Sequence, residues 1–368
     1  MSVSAIMTES FGKFFLPGPT EVHPDVLATL SQPMIAHRGR EMDELLGGMR
    51  RPMKELFRTQ KFLLLGNCAA TGFMEMAIRS GVRHRVLSLV GGAFGERFAA
   101  IGSACGRDVV KLNVPLGKTV EPDMLRDALT RSDVDAVTVV HSETATGALA
   151  PLESLAEVVK DFDDVMLLVD GVTSVAGSPV ETEKWGLDFV FTGTQKAMAL
   201  PPGLALGAAS PRLLERAQTI PERGAYLDLV THVKAFDNGQ PTNTPTIPLL
   251  YGLREQFRRI DEAGGIEARW SRHKDMLDSI EAWMANRGEK LGFSYLPDEE
   301  RRSWTVSCLN VPEGYSGRDL SHSLRDKGWT LAAGYGELRP STIRIGHMGD
   351  HTVAELEGLL AMLEAEIE

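Results

Sequence analysis

Cysteine is scarce in this chain. Its three cysteines, Cys68, Cys105 and Cys308, lie far apart, with no Cys-x-x-Cys and no Cys/His pairing. That spacing excludes a zinc site or a disulfide framework as the organising principle, and no metal is expected. The three thiols are expected to serve as small buried apolar side chains. Long apolar runs are also missing. None approaches the ~18 residues that a membrane span needs, and the opening MSVSAIMTESFGKFF has no basic stretch followed by an apolar one. A cytoplasmic protein that does not engage a membrane is the expectation. Basic residues are scattered, and 39 Lys and Arg against 50 Asp and Glu give a net charge of −11, so nucleic acid finds no electrostatic footprint. Repeats and low-complexity tracts are absent.

What is present is apolar content for a real core, 43% of 368 residues, about two domains' worth of chain. Seven short runs rich in Val, Leu and Phe occur at Phe62–Leu65, Val86–Val90, Val109–Leu112, Ala136–Val140, Val165–Val169, Phe189–Phe191 and Leu204–Ala209. Helical patterns separate them at Gly72–Arg79, Glu96–Ser103, Asp123–Thr130 and Leu152–Lys160. This alternation predicts an α/β fold with a seven-stranded, mostly parallel sheet sandwiched by helices. Near Pro245 the rhythm changes. A turn-rich stretch leads into a helix from Leu249 to Ala263, a break at Gly264-Gly265, and a second helix from Ile266 to about Arg287. Strands at Trp304–Val311, Trp329–Ala332 and Thr342–Ile345, with helices at Gly317–Lys327 and Thr352–Ile367, then give a smaller α+β unit. The expected division is an arm (1–20), a large domain (21–248), a connecting helix (249–265) and a small domain (266–368).

In open parallel sheets, ligands gather at the carboxyl ends of the strands, where loop amides and helix N-termini converge. Two chemically loaded residues fall at such ends, Asp170 and Lys196. A lysine there can form a Schiff base with an aldehyde cofactor, and an aspartate can keep a pyridine nitrogen protonated so that the ring withdraws electrons. That pairing describes pyridoxal 5'-phosphate. Taken singly, such a lysine is ordinarily a solvated loop residue and such an aspartate a helix cap.

The surrounding segments go further. Leu167–Gly177 (LLVDGVTSVAG) and Asp188–Gly203 (DFVFTGTQKAMALPPG) resemble the class V, fold-type I aminotransferases. Phe15–Leu27 (FLPGPTEVHPDVL), His141–Glu153 (HSETATGALAPLE) and Ile343–Gly349 (IRIGHMG) are similar to the same family, in the same order. The resemblance implies a homodimer with its active site at the subunit interface. It implies that Lys196 carries the Schiff base and moves the proton, and that Asp170 pairs with the pyridinium nitrogen. Phe94 would stack on one face of the ring, Val172 would press on the other, and Thr144 would bond the phenolic oxygen. Ala69, Ala70 and Thr71 would form the phosphate cup ahead of a helix, Thr194 and Gln195 would close it, and Asn243 and Thr244 would reach it from the neighbouring subunit.

On the substrate side, Arg344 matches the family's carboxylate-binding arginine, whose planar fork suits a bidentate salt bridge. His37-Arg38-Gly39-Arg40-Glu41 resembles a segment of phosphoserine aminotransferases that helps bind the distal phosphate or the carboxylate of glutamate. The extra arginine those enzymes carry in the phosphate loop is missing, and the wording around Lys196 and Arg344 is closer to the alanine/serine–glyoxylate and serine–pyruvate branch. The resemblance implies a ping-pong transaminase that moves an amino group from alanine, serine or phosphoserine to glyoxylate, pyruvate or 2-oxoglutarate. A lyase of the cysteine desulfurase or β-elimination kind, and a non-catalytic binding protein on the same fold, stay open. A desulfurase needs a nucleophilic cysteine on a mobile loop, whereas Cys308 sits inside a strand-like run.

Overall fold

The computed structural model describes residues 11–368; residues 1–10 of the expected arm lie outside them. Nine strands build the first part of the chain: β1 Phe62–Gly66, β2 Arg85–Val90, β3 Asp108–Asn113, β4 Ala136–Val140, β5 Ser142–Glu143, β6 Ala148–Leu149, β7 Met166–Asp170, β8 Phe189–Gly193 and β9 Ala205–Ala209. Seven form one sheet in the order β1-β9-β8-β7-β4-β2-β3, and β5 pairs with β6 as a small hairpin. β2, β3, β4, β7 and β8 are mutually parallel, and β9 runs antiparallel to both β8 and β1. All seven expected strands are present, each within two residues of its expected bounds.

Alternate residues of each strand feed opposite layers, because side chains of a strand point to opposite faces. Along β7, Leu167 and Val169 join one core with helices Arg40–Phe57, Pro122–Arg131 and Leu152–Lys160, while Met166 and Leu168 join another with Ala70–Gly81, Ala93–Ala104 and Pro211–Thr219. Each fully buried Leu or Val here contributes about 1.5–3 kcal/mol through surface removed from water. Apolarity on both faces is therefore what the two helical layers require of the sheet.

The remaining strands are β10 Ser294–Tyr295, β11 Ser307–Asn310, β12 Ala332–Ala333 and β13 Thr342–Ile345, an antiparallel sheet in the order β10-β11-β13-β12. Helices Gly265–Trp283, Gly317–Asp326 and Val353–Ile367 close a third core around it, with Phe15, Ile343 and Leu359 inside. The expected strand at Trp304–Val311 shortens to β11, and ahead of it the Thr305 amide donates to Ser303 Oγ at 3.2 Å rather than to a neighbouring strand. Gly264 and Gly265, at φ 102° and 84°, make the break between helices Ile247–Glu262 and Gly265–Trp283, a conformation that side chains with a Cβ resist. Thr352 caps the last helix through a reciprocal capping box with Glu355. No helix among the described residues is long and apolar enough to cross a membrane.

The segment from Phe14 to Thr20 ties the small sheet to the end of β8. Phe15 N donates to Thr330 O, Gly346 N donates to Phe15 O, and Thr20 donates through its amide to Gln195 O and through its hydroxyl to Lys196 O.

Candidate active site

The parallel strands β4, β7 and β8 end side by side, with Val140 in register with Asp170 and Asp170 with Phe191. Their carboxyl ends open into a cavity that is lined by Ala69, Ala70, Thr71, Phe94, Thr144, Asp170, Val172, Gln195 and Lys196. Nine expected cofactor residues thus converge from five chain segments. Met74, Arg97, Ser142 and Thr173 also line it.

Lys196 is 7% exposed and its ammonium is expensive there, so burial, aided by the nearby Arg344 charge, pulls its pKa down to about 7. Its Nζ donates to Pro17 O and lies 3.5 Å from Thr144 Oγ1. The ring of Phe94 lies 5.9 Å from Nζ. Asp170 is buried as well, and desolvation raises its carboxyl to about 7 despite the hydrogen bond that Oδ1 accepts from Val172 N at 2.8 Å. Among the described residues no ion pair joins Asp170 and Lys196. They grip one cavity rather than each other.

The phosphate side has the chemistry an anion needs. Helix Ala70–Gly81 follows Ala69, which offers no side-chain cap; the Gly72 amide donates to Ala69 O at 2.8 Å, and the Ala70 and Thr71 amides have no acceptor among the described residues and can serve a negative group. Gln195 Oε1 is buried without a partner among the described residues; as an acceptor it does not suit a phosphate oxygen, which would take a donor from the Gln195 Nε2 amide instead. Thr194 behaves differently from expectation. Its hydroxyl is spent on Pro201 O at 2.9 Å and is not among the groups lining the cavity, because the turn after β8 needs that hydrogen bond.

Arg344 stands on β13, opposite Cys308 on β11 and Ala332 on β12. It is 9% exposed, donates to Ala333 O and Thr144 O at 3.2 Å each, and packs on the Tyr335 ring. Among the described residues it has no carboxylate partner. A buried guanidinium satisfied by two carbonyls alone retains donors for an incoming anion.

His37, Arg38, Asn243 and Thr244 are exposed and do not line the cavity. The second pair is tethered beside it, since Asn67 Nδ2 reaches Thr244 O at 3.5 Å and Asn67 Oδ1 accepts from Thr246 N at 3.1 Å. Among the thiols only Cys308 is buried, Cys68 and Cys105 being partly exposed. The expectation of three buried cysteines fails for the latter two, which sit at or near helix ends.

One group escaped the sequence reading. Glu143 is buried, and its carboxylate accepts from Phe94 N at 3.0 Å, Gly95 N at 3.1 Å and Ala145 N at 3.0 Å. It caps helix Ala93–Ala104 from a distance, because Gly92 at the N-cap has no side chain to do so. A Cβ on Gly92 would fall 2.5 Å from Glu143 Cγ. The signal was legible in principle: a helix start without Ser, Thr, Asp or Asn needs an acceptor from elsewhere.

Fold and site together define a pyridoxal 5'-phosphate-dependent enzyme of fold-type I. The chain belongs to the class V aminotransferases, whose family model, Aminotransferase class-V, matches residues 97–353. An uncharacterized aminotransferase of Methanocaldococcus jannaschii is 35% identical, covering 96% of this chain and 92% of the relative. L-aspartate–glyoxylate aminotransferase of Paracoccus denitrificans is 30% identical over 92% of this chain and 87% of its own. The crystal structure of alanine–glyoxylate aminotransferase from Nostoc sp. matches with a TM-score of 0.89 at 28% identity, covering 96% of this chain and 95% of that one. The protein is thus a transaminase acting on amino acids and oxo acids, with pyridoxal 5'-phosphate as its cofactor.

Proposed function

We propose that the chain transfers the amino group of a small L-amino acid to a 2-oxo acid, with glyoxylate the favoured acceptor, and that Arg344 binds the α-carboxylate of each. The observation that carries this reading is the buried Arg344 guanidinium without an acidic partner, close enough to Lys196 to help hold its pKa down. Relatives named for aspartate, serine and alanine as donors share glyoxylate as acceptor, which supports the choice. The donor is alanine, serine, phosphoserine or aspartate.

When bound, the cofactor supplies an aldehyde that condenses with amines and a ring that withdraws electrons from the carbon next to nitrogen. The rest is the work of this chain. Lys196, titrating near neutrality, has an appreciable neutral fraction, so its amine can both attack and take up a proton. Asp170 holds the ring nitrogen, and a cation beside it would draw its carboxyl back towards ionisation. Ala69, Ala70, Thr71 and Gln195 would hold the phosphate, Phe94 and Val172 would flank the ring, and Thr144 would bond the ring oxygen. Arg344 would hold the substrate by its α-carboxylate, and Lys196 would move the Cα proton.

The same proposal includes a cytoplasmic homodimer in which His37, Arg38, Asn243 and Thr244 serve the neighbouring subunit's cavity. The exposure of all four in a single chain, and the tether of the Thr244 segment to Asn67 beside the cavity, support it. The division into an arm, a large domain, a connecting helix and a small domain is supported by the separate third core. The lyase alternative loses ground, because burial pushes the thiols of Cys308 and Cys68 up to about 11, far from the thiolate a desulfurase needs.

The test is a half-reaction screen of cofactor-loaded protein against alanine, serine, phosphoserine, aspartate and glutamate, followed by glyoxylate, pyruvate or 2-oxoglutarate. Oxo-acid release with cofactor amination, reversed fastest by glyoxylate, is the expected result. Ammonia or sulfide release without amination would overturn it.

A further inference from the structure

Thr144 and Thr173 stand with their hydroxyl oxygens 2.6 Å apart, both buried, both lining the cavity with Lys196. They arrive from different segments, Thr144 from the connection between β5 and β6 and Thr173 from the turn after β7. Thr173 is itself held in place. Its carbonyl accepts from Thr305 Oγ1 at 2.9 Å, Thr305 Oγ1 meets Ser303 Oγ at 3.0 Å, and Ser303 Oγ meets Ser142 Oγ at 2.7 Å. A line of hydroxyls thus runs beneath the cavity from the loop after β4 to the segment before β11.

We propose that Thr173 is a positioning residue of the reaction: its hydroxyl donates to Thr144, which leaves the Thr144 proton to point into the cavity. The direction follows from counting protons. Each hydroxyl has one to give, and a buried one left without an acceptor is costly. Among the described residues Thr173 Oγ1 has only Thr144 Oγ1 as a hydrogen-bond partner, whereas Thr144 also faces Lys196 Nζ at 3.5 Å. If Thr144 gave its proton to Thr173, the Thr173 proton would have no acceptor among the described residues. With Thr173 as donor, both protons are used, and Thr144 becomes an obligatory donor towards a neutral Lys196 amine or an anionic oxygen of the bound cofactor. Thr173 contacts no reacting atom in this arrangement and acts through Thr144.

This inference rests on the proposed role of Thr144, and the test separates the two. The readout is the midpoint of the pH-dependent absorbance change of cofactor-loaded protein, not turnover. A donor to the ring oxygen favours the deprotonated, more anionic form, so losing it moves the midpoint up. Thr144→Val is expected to raise the midpoint by about one pH unit, the size of one charge-assisted hydrogen bond. Thr173→Val is expected to raise it in the same direction by roughly half as much, and Thr173→Ser to restore it. The double variant is expected to match Thr144→Val alone, because residues that act through one another are not additive. An unmoved midpoint in Thr173→Val, or a shift that adds to that of Thr144→Val in the double variant, overturns the relay and leaves Thr144 intact. An unmoved midpoint in Thr144→Val, with Lys196 still fixed to the cofactor by borohydride, overturns both. Should Thr173→Val fold poorly, Thr173→Ala is read against Thr173→Ser in the same way.

Discussion

Arg269 and Asp350 form an ion pair at 2.8 Å with side chains only 4% and 8% exposed, and the same guanidinium donates to Ala197 O, the carbonyl next to Lys196, at 3.0 and 2.6 Å. Gln256 Nε2 donates to the Asp350 carboxylate as well, and Arg269 is the main reason that carboxyl is held down to about 2. The pair clamps the Lys196 turn from below. Asp350→Ala strands a buried cation, so the unfolding free energy should fall by about 3–5 kcal/mol. Urea unfolding at unchanged m-value measures it, and a loss under 1 kcal/mol would show that water reaches the site. Asp350→Leu combined with Arg269→Met should recover much of that stability, but not the tether to Ala197.

Lys196 yields a pH prediction with a definite sign. Its pKa is 10.5 unperturbed and about 7 in the fold, first through burial and then through Arg344. The unfolded chain therefore binds the extra proton between those values, so this group's stability contribution is present above the unfolded pKa and is lost as pH falls through about 7. Asp170 has the opposite slope. Raised from 3.8 to about 7 by burial, it contributes stability below the unfolded value and loses it as pH rises through 7. Cofactor-free Lys196→Met should be more stable than the parent at about pH 6, with the gain fading towards about pH 10. Reductive capture of pyridoxal phosphate by the parent should be half-maximal near neutrality; a midpoint near that of free lysine would refute the depressed amine.

Arg344 should be needed for substrate and dispensable for cofactor. Arg344→Ala removes two charge-assisted hydrogen bonds to the substrate, and kcat/KM should fall about 10²–10³-fold. Arg344→Lys should recover little, because a point charge cannot reproduce the fork, and the stem gives up the contacts to Ala333 O and Thr144 O. Cofactor absorbance should persist in both. A kcat/KM within threefold of the parent would assign the carboxylate to another group.

The parts of this fold that were legible in the sequence are those with a local signature. The seven strands stand where apolar runs stand, because a sheet covered on both faces asks for apolar residues along its inner strands; the edge strand β3, with Asp108, Lys111 and Asn113, is partly exposed. β13 matches its expected bounds of Thr342–Ile345, and its one interruption, Arg344, was itself the signal of a site. Lys196, Asp170, Phe94 and Gln195 converge because strand ends and helix starts fix where a residue must lie. The two-residue pairings β5-β6 and β10 carry no periodicity to read. Arg269 and Asp350 looked like ordinary charges, since Arg269 reaches a carbonyl 72 positions away. His37 and Arg38 are exposed and carry no local pattern that ties them to the cavity.

Glu143 gives the last test. Its carboxylate is the shared acceptor for three amides, buried at Gly95 and Ala145 and partly buried at Phe94, and burial raises its pKa above the usual carboxylate value. Glu143→Ala leaves those amides without acceptors, each costing about 1–3 kcal/mol unless water enters, so a total loss of roughly 3 kcal/mol or more is expected. Glu143→Gln should cost less, since its carbonyl still serves one or two of the amides while its NH₂ faces the others. Because Phe94 begins the helix that Glu143 caps and its ring lies against the cavity, both variants should also weaken cofactor binding, measured as the dissociation constant for pyridoxal phosphate. Equal cofactor affinity in Glu143→Ala and the parent would mean that the ring of Phe94 keeps its place without the cap, and that Glu143 serves stability alone.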